Sequence, residues 1–256
     1  MKVVETVHEL AALRGARGAG DTGFVPTMGA LHDGHRSLLA RARAENARVW
    51  ASLFVNPAQF NDREDLRNYP RPVEDDLAML RASGCDLVFL PREDEIYPDG
   101  YRYRIVENDL SRRFCGAGRP AHFDGVLTVV LKLLLLVRPE RAYFGEKDFQ
   151  QLQLVDGMAR AFFLDTEIVA CPLVREPDGL AMSSRNRLLT AEERARAPDF
   201  HRLLARSIAG RQSADDTAAE LALAGFAVEY VADHAGRRLA AVRLGKVRLI
   251  DNVEHA

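Results

Sequence analysis

The chain has 256 residues, enough to bury a full core as one large domain with a smaller appendage, or as two modest domains, without a disulfide or metal staple. Apolar residues at 47% and charged residues at 28%, with a formal net charge of -2, fit an ordinary globular enzyme and exclude the basic field that nucleic-acid binding requires. The expected partner is a small molecule, with no nucleic acid and no membrane.

Cys85, Cys115 and Cys171 are widely spaced and odd in number, so neither a disulfide framework nor a Cys-rich zinc site is expected, only reduced packing thiols. The opening MKVVETVHEL lacks a basic region followed by an apolar stretch. The most apolar run, residues 125–137, is too short for a bilayer and carries Lys132, which points to the cytoplasm. Of the 35 basic residues, only Lys2, Lys132, Lys147 and Lys246 are lysines. A lysine in a polar cluster of so arginine-rich a chain suggests that a compact ammonium is needed there, which singles out Lys147.

Along the chain, a first predicted strand at residues 23–27 runs into PTMGALHDGH (residues 26–35), and a helix follows over 34–47. In that segment Gly29 allows close backbone approach and Gly34 a tight turn. Unpaired amides and the dipole of the helix N-terminus favour an anion. His32 and His35, three residues apart, can turn to the same side, where a donor stabilises charge on a phosphorus in transit. Two such histidines could instead bind a metal, or one could merely pack. No Walker A sequence occurs, and no G-x-G-x-x-G follows the first strand, so kinase and dinucleotide readings lose ground.

A second strand at 49–55 leads into FVNPAQFN, where Asn56 and Gln59 offer amides able to hold a small hydroxy acid or merely form an Asn-Pro turn. A helix at 72–83 and a strand at 86–90 come next. Residues 92–119, with Pro, Gly and scattered charges, are the least readable part and are expected to form a loop or arm beside the site. A helix at 123–137 and a strand at 141–144 precede FGEKDFQQ. There Gly145 ends the strand, Lys147 offers a point charge to a phosphate, Asp148 can accept from ribose hydroxyls or cap the next helix, and Gln151 can turn inward. A helix at 149–163 and a strand at 167–174 close this pattern.

Alternating strands and helices imply an α/β, Rossmann-like doubly wound parallel sheet, with ligands beyond the strands' carboxyl ends; TMGALHDGH, NPAQFN and GEKDFQQ all begin there and converge on one crevice. After residue 174 the texture changes. The loop REPDGLAMSSRN precedes a predicted helix over 191–210, which Thr190 and Glu193 open as a capping box, and then strand-like FAVEYVA and VRLIDNV. The expected domains are residues 1–174 and a smaller C-terminal α+β domain at 175–256. Two hydroxyls and a guanidinium in MSSRN suit a polyphosphate, although by itself the motif reads more readily as a plain polar loop.

Together FVPTMGALHDGH, SLFVNPAQFN, GRPAHFDGV, YFGEKDFQQLQLV and DGLAMSSRNRLLT resemble the pantoate–β-alanine ligase (pantothenate synthetase) family of the HIGH-motif nucleotidylyltransferase superfamily, in order and at matching intervals to about residue 195. LHDGH is common to the superfamily, and the other four point to this family. The resemblance implies a two-step reaction in which the pantoate carboxylate attacks the α-phosphorus of Mg·ATP, giving pantoyl adenylate and pyrophosphate. The β-alanine amine then displaces AMP.

By the same resemblance, His32 and His35 contact the ATP phosphates and the transition state. Lys147, Ser183, Ser184 and Arg185 hold the phosphates and the departing pyrophosphate, while Met28, Gly29, Val174 and Met182 also line the ATP site. Asp148 and Gly145 meet the ribose. Pro26, Thr27, Met28, Gln59 and Gln151 contact pantoate; Asn56, Tyr69, Asp75 and Asp76 support that wall, and Arg119 and His122 lie near it. Mg2+ arrives on ATP, with no metal ligand in the protein. The family is typically a homodimer, and its members usually run longer after residue 195, by roughly two dozen residues. The competing expectations are a nucleotidylyltransferase moving AMP onto a phosphate-bearing acceptor, and a nucleotide-sensing protein that has lost catalysis. The amides of Asn56, Gln59 and Gln151 disfavour the first, and the retained His32, His35, Lys147, Ser183, Ser184 and Arg185 disfavour the second.

Overall fold

A computed structural model describes residues 1–16 and 21–255. The chain forms two compact units, one comprising Met1–Glu146 with Gln150–Cys171, the other Lys147–Phe149 with Pro172–Ala256. Val174 therefore belongs to the second unit, and so does the short stretch around Lys147, which sequence texture assigned to the first.

The first unit opens with β1 (Lys2–Val4), α1 (Val7–Gly15), β2 (Thr22–Thr27), α2 (Asp33–Glu45) and β3 (Arg48–Leu53). After a 3₁₀ turn at Pro57–Gln59 come α3 (Arg63–Asn68), α4 (Val73–Ala82), β4 (Leu87–Phe89) and α5 (Glu93–Ile96). A 3₁₀ turn at Leu110–Arg112 then leads to α6 (His122–Val137), β5 (Arg141–Gly145), α7 (Phe149–Ala161) and β6 (Glu167–Cys171). The strands form one six-stranded sheet in the order β1-β4-β3-β2-β5-β6, all of whose pairings are parallel. The expected doubly wound sheet is thus present, extended at one edge by β1, which is too short to stand out in the sequence. Strand β6 stops at Cys171 because Pro172, with no amide hydrogen, cannot continue a ladder.

Strand order reverses between β2 and β5, so the crevice favoured for ligands lies where the chain leaves those strands. Phe24, Val25, Val49 and Ala51 are wholly buried in the sheet, and α2 covers it with Leu38, Leu39 and Ala42. Helix α6 is apolar round most of its circumference because it packs on α1, β2 and the Pro57–Gln59 turn. Arg14 closes its C-terminal end by donating to Leu136 O at 2.7 Å, a cation placed where the helix dipole is negative. All three cysteines are unpaired with one another and buried, and burial pushes the Cys85 thiol up to about 12 and that of Cys171 to about 11. Among the described residues no helix is long and apolar enough to cross a membrane.

The second unit contains α8 (Ala191–Arg196), α9 (Pro198–Ala209), α10 (Ala214–Leu223) and the antiparallel sheet β7 (Ala227–His234), β8 (Arg237–Leu244) and β9 (Val247–Glu254). The helix expected over 191–210 is two helices, because Pro198 has no amide hydrogen to continue α8 and instead starts α9 as its first residue. Strand β8 escaped notice for a local reason. Its hairpin with β7 turns on Ala235 (φ 47°) and Gly236 (φ 75°), both left-handed as a two-residue primed turn requires, with alanine where Asn or Gly ordinarily gives the signal. Phe200, Leu204, Leu221, Ala240 and Val242 form this unit's core.

Gly125 faces the Pro57–Gln59 turn so closely that a Cβ there would lie 2.3 Å from Ala58 O and 2.7 Å from Gln59 N. Gly125→Ala gains helix propensity but forces backbone apart, and the second effect wins: a net loss of about 1–3 kcal/mol is expected by urea denaturation. Unchanged or increased stability would show that the helix and turn can separate at no cost.

Candidate active site

The segment after β2 is organised around a buried carboxylate. Thr27 Oγ1 donates to Ser52 O at 2.8 Å and accepts from Gly29 N at 3.2 Å, starting the turn. Gly29 (φ 82°) and Ala30 (φ 51°) are both left-handed, a conformation that costs alanine on the order of 1 kcal/mol. Asp76, 4% exposed on α4, offsets it: Oδ2 accepts from Ala30 N at 2.8 Å and Oδ1 from Leu31 N at 2.7 Å. A Cβ on Gly29 would sit 2.8 Å from Asp76 Oδ2, so only glycine lets the carboxylate approach.

His32 is the N-cap of α2 and His35 its third residue, and the two form a capping box built from imidazoles. His32 Nδ1 accepts from Gly34 N at 3.2 Å, and His35 Nδ1 accepts from His32 N at 3.3 Å, with ring centroids 4.2 Å apart. A nitrogen that accepts carries no hydrogen, so in each ring the proton sits on Nε2 and that edge is a donor. This corrects two expectations. Gly34 makes no tight turn but lies in the first turn of α2. The loop's amides are not left for an anion either: those of Gly29, Ala30, Leu31, His32, Gly34 and His35 all have acceptors within the protein. The groups at this helix start that favour an anion are thus the helix dipole and the two imidazoles rather than the loop amides.

The wall after β3 is held as firmly. Asn56, 1% exposed, accepts from Tyr97 Oη at 2.7 Å and Ala58 N at 3.3 Å, and donates to Gly125 O at 3.1 Å and Gln59 Oε1 at 2.9 Å. Its amide is saturated, so it orients Gln59 rather than meeting a ligand itself. Burial pushes the Tyr97 hydroxyl above its usual range, which keeps it a donor. His122 Nδ1 lies 2.7 Å from Gln59 O and, facing a carbonyl, carries the proton. Arg119 donates to Cys115 O at 3.1 Å.

Tyr69 is buried edge-on to Phe60 at 5.7 Å, whereas Asp75 is exposed on α4. Asp76 braces the histidine loop rather than the amide wall. Pro26, Thr27 and Met28 are half-buried at the end of β2, Gly145 ends β5, and Gln151 is half-buried in the first turn of α7. Its neighbour Gln150, which sequence reasoning passed over, is buried and holds residues 110–115 by accepting from Cys115 N and donating to Leu110 O and Arg113 O. Successive helical residues point about 100° apart, so the two glutamines cannot serve one wall.

In the second unit Lys147 Nζ lies 3.5 Å from Asp148 Oδ2, and Lys147 O accepts from Asn252 Nδ2 at 3.2 Å. Asp148 ends a 3₁₀ turn, Glu146–Asp148, ahead of α7. Val174 O receives Met182 N at 3.1 Å, closing a small hairpin with the Arg175–Ala181 bridge. Ser183 caps the 3₁₀ turn Ser184–Leu188, its Oγ accepting from Arg185 N at 3.3 Å; Ser184 is buried. Thr190 and Glu193 form the expected capping box.

The residues missed here are on β9. Asp251 is bidentate to Arg175 at 2.8 and 2.9 Å and lies 3.0 Å from His201 Nδ1, while Arg237 donates to Asn252 Oδ1 at 2.7 Å. The adjacent pair Asp251 and Asn252 thus anchors both the Val174–Met182 hairpin and Lys147. The signal was there in VRLIDNV, where two consecutive polar residues break a strand's alternation.

A parallel α/β sheet with an LHDGH helix capped by its own histidines at the switch point is the arrangement of a HIGH-motif nucleotidylyltransferase. The sequence model described as Pantoate-beta-alanine ligase matches residues 2–254, and the chain belongs to that family, whose members form pantothenate from pantoate and β-alanine at the expense of ATP. It is 52% identical to a pantothenate synthetase of Bdellovibrio bacteriovorus over 99% of both chains, and 49% identical to one of Coxiella burnetii over 100% of this chain and 97% of that one. Among solved structures, a pantothenate synthetase of Thermus thermophilus superposes with a TM-score of 0.90 at 46% identity, covering 99% of both chains. A pantoate-beta-alanine ligase of Francisella tularensis, complexed with beta-gamma ATP and beta-alanine, superposes with a TM-score of 0.92 at 38% identity, covering 100% of this chain and 98% of that one. These relatives share the compact region after residue 195, so its brevity is not peculiar to this chain. A family match of this extent also sets aside AMP transfer to a phosphate-bearing acceptor.

Asp76→Ala leaves two buried amides without an acceptor, and a loss of about 3 kcal/mol or more is expected in chemical denaturation. Arg175→Met leaves the buried Asp251 carboxylate without its bidentate cation, with only His201 and the Asn252 amide still facing it, and is expected to cost about 2–4 kcal/mol in the same measurement. A loss below about 1 kcal/mol would mean, for Asp76→Ala, that the carboxylate is dispensable to the turn it holds and, for Arg175→Met, that Asp251 does not depend on the arginine.

Proposed function

We propose that the two imidazole Nε2–H edges of His32 and His35 are the donors that steady the α-phosphorus of ATP during attack by the pantoate carboxylate. The observation that carries this reading is the reciprocal capping box, which fixes both tautomers with the proton away from the backbone. In the first step a pantoate carboxylate oxygen bonds to the α-phosphorus as its bond to the bridging oxygen breaks, and pyrophosphate leaves. In the second, the β-alanine nitrogen bonds to the acyl carbon, AMP departs and the nitrogen loses a proton. A carboxylate is a poor acyl donor until adenylated, so the protein's task is positioning and charge stabilisation.

Gln59 and Gln151 bind pantoate, with Pro26, Thr27 and Met28 lining its pocket and Asn56, Tyr69 and His122 supporting it. Asp75, exposed on α4, is left out of that wall. Lys147, Ser183, Ser184 and Arg185 hold the phosphates and the departing pyrophosphate; Gly29, Val174 and Met182 line the nucleotide, and Gly145 and Asp148 meet its ribose. Mg2+ enters with ATP as part of the substrate. The enzyme acts as a cytoplasmic homodimer, for which sedimentation at micromolar concentration is the check.

AMP release from ATP should require both pantoate and β-alanine; release independent of β-alanine would sink the ligase reading. His35→Gln keeps an acceptor for His32 N but lacks the imidazole edge, so kcat is expected to fall by about a hundredfold while ATP affinity changes by only a few fold. Equal effects on both would remove the transition-state role. Lys147→Ala should slow adenylation, and an unchanged rate with unchanged ATP binding would end its assignment.

A further inference from the structure

Residues 93–101 and Lys132 have no place in the reaction as described, yet they lead directly to Gln59. Lys132 on α6 donates to Ile96 O at 2.8 Å, pairs with Asp99 Oδ1 at 3.2 Å, and lies 4.8 Å above the centre of the Tyr97 ring. Tyr101 packs edge-on against the same ring at 5.2 Å. So held, Tyr97 is 5% exposed and its hydroxyl makes the shortest of the four hydrogen bonds to the Asn56 side chain, at 2.7 Å.

An amide has an accepting and a donating end; at Asn56 the Gly125 carbonyl, which can only accept, and the Ala58 N–H, which can only donate, fix which is which, and the Tyr97 hydroxyl adds the shortest bond to the accepting end. With Asn56 Oδ1 facing Tyr97, its Nδ2 faces Gln59, and Gln59 must turn its own oxygen inward to accept at 2.9 Å. The Gln59 Nε2 group makes no hydrogen bond among the described residues, so the outward end of this relay is a pair of N–H donors. Donors suit a carboxylate or hydroxyl oxygen, and the reversed sense would oppose a carboxylate with a carbonyl oxygen.

We propose that Tyr97 is a specificity-determining positioning residue: clamped by Lys132, it anchors the Asn56 amide in the position from which that amide presents Gln59 as a donor to the anionic hydroxy acid. This rests on the assignment of Gln59 to pantoate. Pantoate and ATP-analogue affinities of the full chain, measured by calorimetry with a non-hydrolysable ATP analogue, test it. Tyr97→Phe removes only the hydroxyl, and the Kd for pantoate is expected to rise about fivefold while that of the analogue stays within about twofold. Lys132→Met, which keeps the aliphatic stem but not the ammonium, should shift pantoate in the same direction and serves if the first variant folds poorly.

In a Gln59→Ala background, Tyr97→Phe should add nothing, because its effect runs through the missing amide. The inference is overturned if Tyr97→Phe leaves pantoate affinity unchanged, weakens both ligands alike, or acts equally with Gln59 absent. Should Gln59→Ala bind pantoate too weakly to complete the cycle, the split between pantoate and the ATP analogue in the single variants decides. If Gln59→Ala itself leaves pantoate affinity intact, the pantoate assignment fails first; if it weakens pantoate and Tyr97→Phe does not, only the relay fails.

Discussion

The two oxygens of Asp76, set against the amides of Ala30 and Leu31, hold in place the turn that carries β2 into α2. A buried carboxylate is costly unless its lone pairs are filled, and two left-handed residues in succession are costly unless something outside the turn holds them. Each difficulty is the other's remedy. The carboxylate draws the amides inward and the backbone takes up the bend that Gly29 permits. The chain then enters α2 with His32 and His35 already turned, so the two imidazoles are placed by backbone geometry before any ligand arrives.

The same economy recurs in the amide wall and on β9. Asn56, Gln150, Asp251 and Asn252 are each buried and each engaged through several bonds, and none has a ligand-facing role in the proposed reaction. They convert rigidity of the sheet and helices into fixed orientation of Gln59, of the 110–115 segment and of Lys147. Such residues are selected by geometry over long sequence separations, and substituting any of them disturbs both stability and orientation.

That division explains what could be seen in the chain beforehand. The parallel sheet was legible because β2, β3, β5 and β6 alternate with helices of regular apolar spacing, and the candidate site could be proposed because LHDGH, NPAQF, GEKDFQQ and MSSRN sit at strand ends or in one polar loop. Partners that carry no local mark were not legible. Nothing near Asp76 announces that it reaches residues 45 and 46 positions away, and Asn252 bonds a residue 105 positions earlier. Strand β8 was hidden by an alanine in a glycine-type turn, and the break at Pro198 was masked by an alanine- and arginine-rich run that favours helix on either side.

Because Lys147–Phe149 fold with the second unit while their neighbours on both sides fold with the first, that unit is discontinuous in the gene. A fragment beginning at Pro172 would carry the Asn252 amide without the Lys147 carbonyl it donates to, and Arg237 without the Phe149 ring it covers. The unit cannot be moved, swapped or appended to another protein as one cassette. Recombination between distant relatives must keep three inherited residues in step with a segment encoded more than twenty codons downstream. The lysine proposed to meet the phosphates is thereby inherited with the fold of the C-terminal unit, although it is spelled out in the middle of the other.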